Sequence, residues 1–250
     1  MTAPPQKQIK NRLLGILREE DYQALAPHLE FVDLPRPFAL SAPLEPDEYC
    51  YFPESGIGSI VARSPEGQSA EIGIFGRDGV TPVSTLLSAD SDPFATFMQI
   101  SGNGYRIRNA VLIEAMDSSG HLKTVFTRYA QAHAVQTAYT ALSNAVHQID
   151  ERLARWILMC HDRTDGDAIS LTHEFLSVML AVRRPTVTTA LHMLEGNRLI
   201  YSERGLITVR DRRGLEQFAK DAYGVPEQEY ARLLGPLRKA LPDAPDQSAN

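Results

Sequence analysis

One stretch of the chain, residues 111–147, contains no proline and only one glycine, Gly120. Between Lys123 and Val146 it is rich in alanine and other strong helix formers, so it predicts one long helix. A helix of this length separates the N-terminal part of the chain from the C-terminal part. Because the chain has 250 residues, it is long enough for two modest domains, each with its own core.

One face of this predicted helix carries small and aromatic residues at a spacing of three or four. Such a face can pack against a symmetry mate in a dimer or against the protein's own sheet, and the spacing alone favours neither. Its positions are Leu122, Val125, Tyr129, Ala132, Gln136, Tyr139 and Ser143.

The residues before the long helix alternate between short apolar runs and turn-forming residues. A helical segment is expected over residues 9–29, with Asp21 starting its second part. From Phe31 to Ile107 many short strands at this spacing predict an antiparallel sandwich or jelly roll. The predicted strands are Tyr49–Phe52, Ile57–Ala62, Ala70–Phe75, Phe94–Ile100 and Tyr105–Ile107, separated by turns that include Gly102–Gly104.

Two short helices joined by a tight turn are expected after a helix at residues 149–161. Thr172 is a good N-cap for the first, and Pro185 suits the first position of the second, where its missing N–H costs nothing. The second helix is expected over Thr186–Glu195, with Gly196 at its end. This arrangement predicts a helix-turn-helix.

The outward face of the second helix carries donors and hydroxyls suited to phosphates and base edges, namely Arg184, Thr188, Thr189 and His192. Leu199–Tyr201 and Leu206–Val209 predict a hairpin, or wing, with Arg204 at its tip. Residues 183–213 contain seven basic and three acidic residues, a net charge of +4 in a chain whose total is −6. Together the helix pair, its basic face and the wing favour DNA binding over simple packing.

The order of sandwich, long helix and winged helix-turn-helix resembles the Crp/Fnr transcription regulators over roughly Asn11 to Phe218. The resemblance rests on residues 152–156, Leu171–Thr172, residues 182–187, residues 193–195 with Leu199–Ile200, and residues 51–56. It implies a homodimer joined along the long helix that binds a pseudo-palindromic duplex, with RNA polymerase and an unidentified small-molecule effector as further partners. The resemblance and the exposed face of the second helix together give nine candidate DNA-binding residues. They are Thr172, His173, Arg183, Arg184, Thr186, Thr188, Thr189, His192 and Arg204.

Two positions of the second helix depart from the usual family pattern. Pro185 stands where many members carry a glutamate that reads cytosine, and Thr189 where some carry a second arginine. The half-site sequence is therefore not expected to be the familiar one. DNA binding itself is still expected, because phosphate contacts do not need that glutamate.

The expected effector pocket also departs from the cyclic-nucleotide-binding members. These carry Gly-Glu and then Arg followed by Ser or Thr and Ala, whereas this chain has Gly79–Val80 and Pro93–Ala95, with no arginine between Asp78 and Tyr105. We therefore expect that cyclic AMP is not bound in the usual manner. Candidate effector-binding positions are Gly79, Val80, Phe94, Tyr129, His133 and Gln136. Cys50, His28 and Met98 are conceivable haem ligands, although such isolated residues are more often structural.

Composition and motifs disfavour other classes of protein. Two cysteines cannot supply four thiolates to an iron–sulfur cluster, and they favour a reducing cytoplasm. No apolar run is long enough to span a membrane. A metal-dependent jelly-roll enzyme needs clustered histidines, and residues 31–107 contain none. We therefore expect neither catalysis, nor a resident metal, nor a cofactor.

The sequence thus predicts an α+β protein with four parts. Residues 1–115 form an effector-type antiparallel jelly-roll domain with an N-terminal helix, and residues 116–148 a long dimerisation helix. Residues 149–225 form a winged helix-turn-helix, and residues 226–250 a C-terminal helix and a flexible tail. The expected function is sequence-specific DNA binding. The alternative is an effector- or protein-binding module that has lost DNA recognition, against which the basic stretch argues.

Overall fold

The computed structural model describes residues 3–237. Its N-terminal segment forms two short helices, α1 (Arg12–Gly15) and α2 (Glu19–Leu25), where the sequence predicted one helical segment over residues 9–29. The Asn11 side chain caps α1 by accepting the Leu14 amide at 3.3 Å. Arg18 is extended, with ψ at 150°, and this breaks the helical path before α2.

Seven antiparallel strands form the predicted sandwich, in two sheets that do not close into a barrel. One sheet has the order β1-β7-β3 and the other β2-β6-β4-β5. The strands are β1 (Glu30–Leu34), β2 (Ala39–Ser41), β3 (Tyr49–Pro53), β4 (Ile57–Arg63), β5 (Ser69–Phe75), β6 (Ala95–Ile100) and β7 (Gly102–Arg108).

Gly102 and Gly104 lie inside β7 and not in the turn that the sequence predicted. A Cβ at Gly102 would collide with the backbone of Ser55, and one at Gly104 with that of Phe52. These glycines therefore serve a close approach of two backbones.

Three helices come after the first strands: α3 (Val83–Leu86), α4 (Asn109–Ser118) and α5 (Gly120–Val146). The long helix is confirmed, but it begins at Gly120 because Ser119 is extended and its hydroxyl caps the Leu122 amide. Of the seven positions on the patterned face, Tyr139 is half-buried and the other six are buried inside the chain. That face packs on the protein's own sheet and neighbouring helices, so it is not available to a symmetry mate.

The reader domain, residues 149–219, contains the predicted helix-turn-helix and wing. A three-stranded sheet with the order β8-β10-β9 backs its helices. Its elements are α6 (Ile149–Arg163), β8 (Ala168–Ile169), α7 (His173–Met179), α8 (Arg184–Gly196), β9 (Ile200–Glu203), β10 (Leu206–Val209) and α9 (Arg212–Ala219). Pro185 is the second residue of α8, which begins one or two residues earlier than expected.

The last described helix is α10 (Val225–Leu234), which ends at Gly235 with a positive φ of 88°. The predicted C-terminal helix is thus present. The predicted tail lies, for residues 238–250, outside the described part of the chain. Within residues 3–237 no helix is both long and apolar enough to cross a membrane.

Candidate nucleic-acid interface

The turn between α7 and α8 is built by local hydrogen bonds. The Thr172 hydroxyl accepts the Phe175 amide at 3.3 Å and so caps α7. Ala181 adopts a left-handed conformation, with φ at 52°, and the Val182 amide donates to the Ser177 carbonyl at 3.0 Å. These contacts end α7 abruptly and let α8 leave in a new direction.

Helix α8 has one buried face and one exposed face. Val187, Leu191 and Leu194 are at most 1% exposed and anchor the helix in the core of the reader domain. The residues that face solvent are Arg184, Pro185, Thr186, Thr189, His192 and Met193. The face that would meet a duplex is therefore not covered by the sandwich in this structure.

Arg184 forms an ion pair with Glu174 of α7, with 2.8 Å between Nη2 and Oε1. Both side chains are more than 60% exposed. An exposed pair of this kind contributes about 1 kcal/mol or less. Arg184 can therefore exchange Glu174 for a phosphate oxygen at little cost.

The wing consists of β9, β10 and the turn at Arg204–Gly205. Gly205 has φ at 79°, and its carbonyl accepts the Leu171 amide at 2.9 Å, which ties the wing tip to the start of α7. The Glu195 carboxylate accepts the Ser202 amide at 2.7 Å and ties the wing to α8. Between α8 and the wing lies an open groove of about 610 Å³.

Four of the nine predicted DNA-binding residues line this groove, and two others, Thr186 and Thr189, line a second pocket beside the start of α6. Thr172, His173, His192 and Arg204 line the groove itself. Arg183, Arg184, Thr186 and Thr189 are exposed along α8 or at its start. Thr188 is half-buried, and its hydroxyl lies 3.3 Å from Nδ1 of His173.

Sequence reasoning missed the acidic residues that organise this surface. Glu174 forms the exposed ion pair with Arg184, and the Glu195 carboxylate accepts the Ser202 amide of the wing. The only signal for Glu174 was its place in the first turn of α7, where an acid is also favoured by the helix dipole.

Five of the six candidate effector positions come together. Gly79, Val80, Tyr129, His133 and Gln136 meet where the loop after β5 approaches α5. A Cβ at Gly79 would collide with the Tyr129 ring. Removal from water lowers the pKa of the His133 imidazole to about 4, so it is neutral at pH 7.

The sixth candidate, Phe94, lies elsewhere and packs at the edge of a cluster between the two sheets. The three conceivable haem ligands are also kept apart. Met98 belongs to this intersheet cluster, Cys50 is buried in the cluster beneath α5, and His28 is exposed. They do not form one site.

A buried polar network joins the reader domain to the sandwich through Glu71 of β5. Its carboxylate accepts Trp156 Nε1 of α6 at 2.8 Å and Gln99 Nε2 of β6 at 3.0 Å, and it also accepts the Ser59 hydroxyl. Burial raises the pKa of the Glu71 carboxyl to about 7, although these hydrogen bonds oppose the rise. Loss of the Glu71 proton would place a negative charge inside this domain contact.

We expect Glu71→Gln to change how the free energy of unfolding depends on pH. The Glu71 carboxyl keeps its proton to about pH 7 in the folded protein but loses it near pH 4.5 in the unfolded chain. The contribution of Glu71 to the free energy of unfolding is therefore fully present below pH 4.5 and is lost as the pH rises through 7. Glutamine is uncharged throughout. Relative to the unsubstituted protein, the variant should gain up to about 3 kcal/mol between about pH 4.5 and pH 8. Urea unfolding of both proteins at the two pH values measures this; an equal pH dependence would contradict it.

A second buried contact joins Arg163 of α6 to Asp78 in the loop after β5. Nη2 and Nε of Arg163 donate to the two carboxylate oxygens at 2.7 and 2.9 Å. The side chains are only 2% and 4% exposed. Burial alone would lower the pKa of Arg163, but Asp78 and the nearby Asp162 raise it, so the guanidinium stays charged.

Residues 151–218, from α6 into α9, match the family of Crp-like helix-turn-helix domains. A search of the curated proteins found no match.

Solved structures share the fold of most of the chain. A structure described as a transcriptional regulator of the crp/fnr family from Eubacterium rectale ATCC 33656 has a TM-score of 0.62 at 16% identity, over 83% of this chain and 97% of its own. FixK2 from Bradyrhizobium japonicum has a TM-score of 0.66 at 16% identity, over 77% and 98%. A Crp-family transcriptional regulator from Thermus thermophilus has 0.62 at 17% identity, over 75% and 96%. At these identities the likeness is one of fold.

Proposed function

We propose that this protein, a Crp/Fnr-type regulator whose residues 151–218 form a Crp-like helix-turn-helix domain, binds a specific pseudo-palindromic DNA site as a homodimer. One observation carries the proposal: α8 presents arginine, threonine and histidine side chains to solvent beside a wing and an open groove. An α-helix of this kind fits the major groove, where side chains can reach base edges. Its place of action would be the cytoplasm, where the DNA lies.

The homodimer is proposed to form along the exposed face of α5, opposite the face that packs on the sheet. The positions follow one another at intervals of three and four residues and are all exposed, namely Thr127, Gln131, Ala134, Ala138, Ala141 and Ala145. Four of these six residues are alanines, and such small side chains allow two helices to approach closely. Leu142 and Val146, which are 47% and 60% exposed, flank this stripe and add apolar surface.

Regulation by cyclic AMP in the usual manner is not part of the proposal. The loop after β5 reads Gly79–Val80 in place of Gly-Glu, and Val80 is completely buried. A cyclic phosphate would need a charged partner. Arg77, the nearest arginine of that loop, is instead paired with Asp165 and with the Thr164 carbonyl.

Selection of bound sequences from a random duplex pool tests the proposed function. We expect an enriched inverted repeat whose half-sites are centred one helical turn apart, since each half-site receives one copy of α8. A protein-binding module without DNA recognition would give no enrichment and no retardation of random DNA at about 50 mM salt. That result would favour the alternative.

We expect Arg184→Ala to weaken binding to the selected duplex. The loss should be about 1–3 kcal/mol if the guanidinium contacts a base, or the salt slope should fall by about one if it contacts a phosphate. Fluorescence anisotropy at several salt concentrations separates the two cases. Arg63→Ala is the matched control, because it removes the same charge from an exposed position on the sandwich. Unchanged affinity and slope in the Arg184 variant would place the duplex elsewhere.

A further inference from the structure

Helix α10 lies against the positions at which a small-molecule effector was expected. Tyr129, His133 and Gln136 of α5 line a cavity together with Pro226, Tyr230 and Leu237 from the C-terminal segment. The space that remains is about 10 Å³. This is room for about one water molecule, which needs roughly 10–15 Å³ on the same measure.

The apolar face of α10 matches the surface that it covers. Pro226, Tyr230 and Leu234 recur every four residues and are all buried. Tyr230 and Leu234, with Leu237 beyond the helix, belong to the cluster that contains Tyr129 and the leucines of α1. The segment therefore completes the core between the sandwich and α5, as a bound apolar ligand would.

Polar contacts connect α10 to both domains. The Tyr230 hydroxyl donates to the Asp78 carbonyl at 2.6 Å, and the Asp78 carboxylate is the group that holds Arg163 of the reader domain. Glu227 accepts the Gly224 amide at 2.9 Å and lies near Arg155 of α6, whose charge it favours. One short helix thus touches α5, the sandwich loop and the contact that docks the reader domain.

We propose that α10 is a tethered ligand that occupies the effector position and fixes the orientation of the reader domain relative to the sandwich. The orientation of α8 is then set by the chain itself, without a diffusible effector. This inference concerns the regulation of the proposed DNA reader. Its test uses no DNA, so the failure of one proposal can be distinguished from the failure of the other.

The test measures the distance between two spin labels in the full chain by pulsed dipolar spectroscopy. Glu66→Cys, in the exposed loop after β4, and Asn197→Cys, exposed after α8, place one label on each domain. The native Cys50 and Cys160 are completely buried and remain unlabelled. Mixing with excess unlabelled protein leaves only distances within one chain.

The doubly labelled chain should give one narrow distance distribution, and Tyr230→Ala should broaden or shift it. Arg232→Ala is the control on the same helix, because Arg232 is 66% exposed and pairs only with its neighbour Glu229 among the described residues. It should leave the distribution unchanged. A broad distribution in the unsubstituted chain, or an unchanged one in Tyr230→Ala, would overturn the proposal.

Tyr230→Phe provides a second variant that keeps the packed ring and removes only the hydrogen bond to Asp78. It tests the proposal even if the alanine variant does not fold. A wider distribution than that of the parent supports the link through Asp78. A distance distribution identical to that of the parent, in a folded Tyr230→Phe protein, would overturn the proposal that α10 fixes the reader domain through Asp78.

Discussion

Arg163→Ala should lower the free energy of unfolding by about 3–5 kcal/mol, because it leaves the Asp78 carboxylate charged and unpaired in the interior. The two side chains are 2% and 4% exposed, so water cannot replace the lost guanidinium. The effect should appear in urea unfolding at neutral pH as a large fall in the midpoint. The reader domain should also lose its fixed position on the sandwich, since this ion pair joins the two.

Two further variants show whether the cost comes from the unpaired charge. Arg232→Ala breaks an exposed pair with Glu229 and should cost no more than about 1 kcal/mol. The double variant Arg163→Met with Asp78→Asn removes both charges and should recover much of the lost stability. If Arg163→Ala costs no more than Arg232→Ala, the buried pair does not hold the domains together.

Ala138→Glu should separate the proposed dimer and weaken binding to the selected duplex by about 100-fold or more, because the two half-sites then no longer reinforce each other. Ala138 is exposed at the middle of the small-residue stripe on α5. A glutamate there faces its own symmetry copy across the seam, so like charges meet where the helices must approach closely. Sedimentation at about micromolar concentration and anisotropy with the duplex measure both effects.

Asn144→Glu is the matched control for this variant. Asn144 is exposed on α5, about 120° around the helix from Ala138 and about 60° beyond the edge of the stripe at Ala141, by the geometry of 3.6 residues per turn. It should leave the protein dimeric and the affinity nearly unchanged. A monomeric unsubstituted protein, or an Ala138→Glu protein that remains dimeric, would show that the seam lies elsewhere.

The parts of the reader domain that the sequence predicted correctly are those that local interactions determine. Pro185 at the start of a helix, the apolar spacing of Val187, Leu191 and Leu194, and the turn at Arg204–Gly205 each act over a few residues. Tertiary contacts then agree with the local preferences, so α8 and the wing appear where they were expected. The resemblance to the Crp/Fnr regulators is confirmed as a Crp-like helix-turn-helix domain at residues 151–218 and, for most of the chain, as a likeness of fold.

The features that the sequence did not predict depend on contacts between distant residues. Asp78 and Arg163 are 85 positions apart, and nothing in the spacing of either indicates the other. The glycines at 102 and 104 are typical of turns, although they serve the approach of β7 to β3. Both faces of α5 carry small residues at helical spacing, so periodicity could not decide which one covers the sheet.

The C-terminal segment shows a related difficulty. The sequence predicted a helix here, but not the surface that the helix covers. That surface includes Tyr129, His133 and Gln136, which sequence reasoning assigned to a diffusible ligand. A residue pattern can indicate a pocket without indicating that another part of the same chain fills it.

The central claim, that α8 enters the major groove, is tested most directly by a DNA-cleaving iron chelate attached to the exposed position of Thr189→Cys. Cys50 and Cys160 are completely buried, and burial raises the pKa of the Cys50 thiol to about 12, so only the introduced thiol reacts. We predict strand cleavage confined to the two half-sites of the selected duplex, and no specific cleavage from Glu66→Cys on the sandwich. Cleavage from the sandwich position, or none from position 189 in a protein that still binds the duplex, would contradict the account.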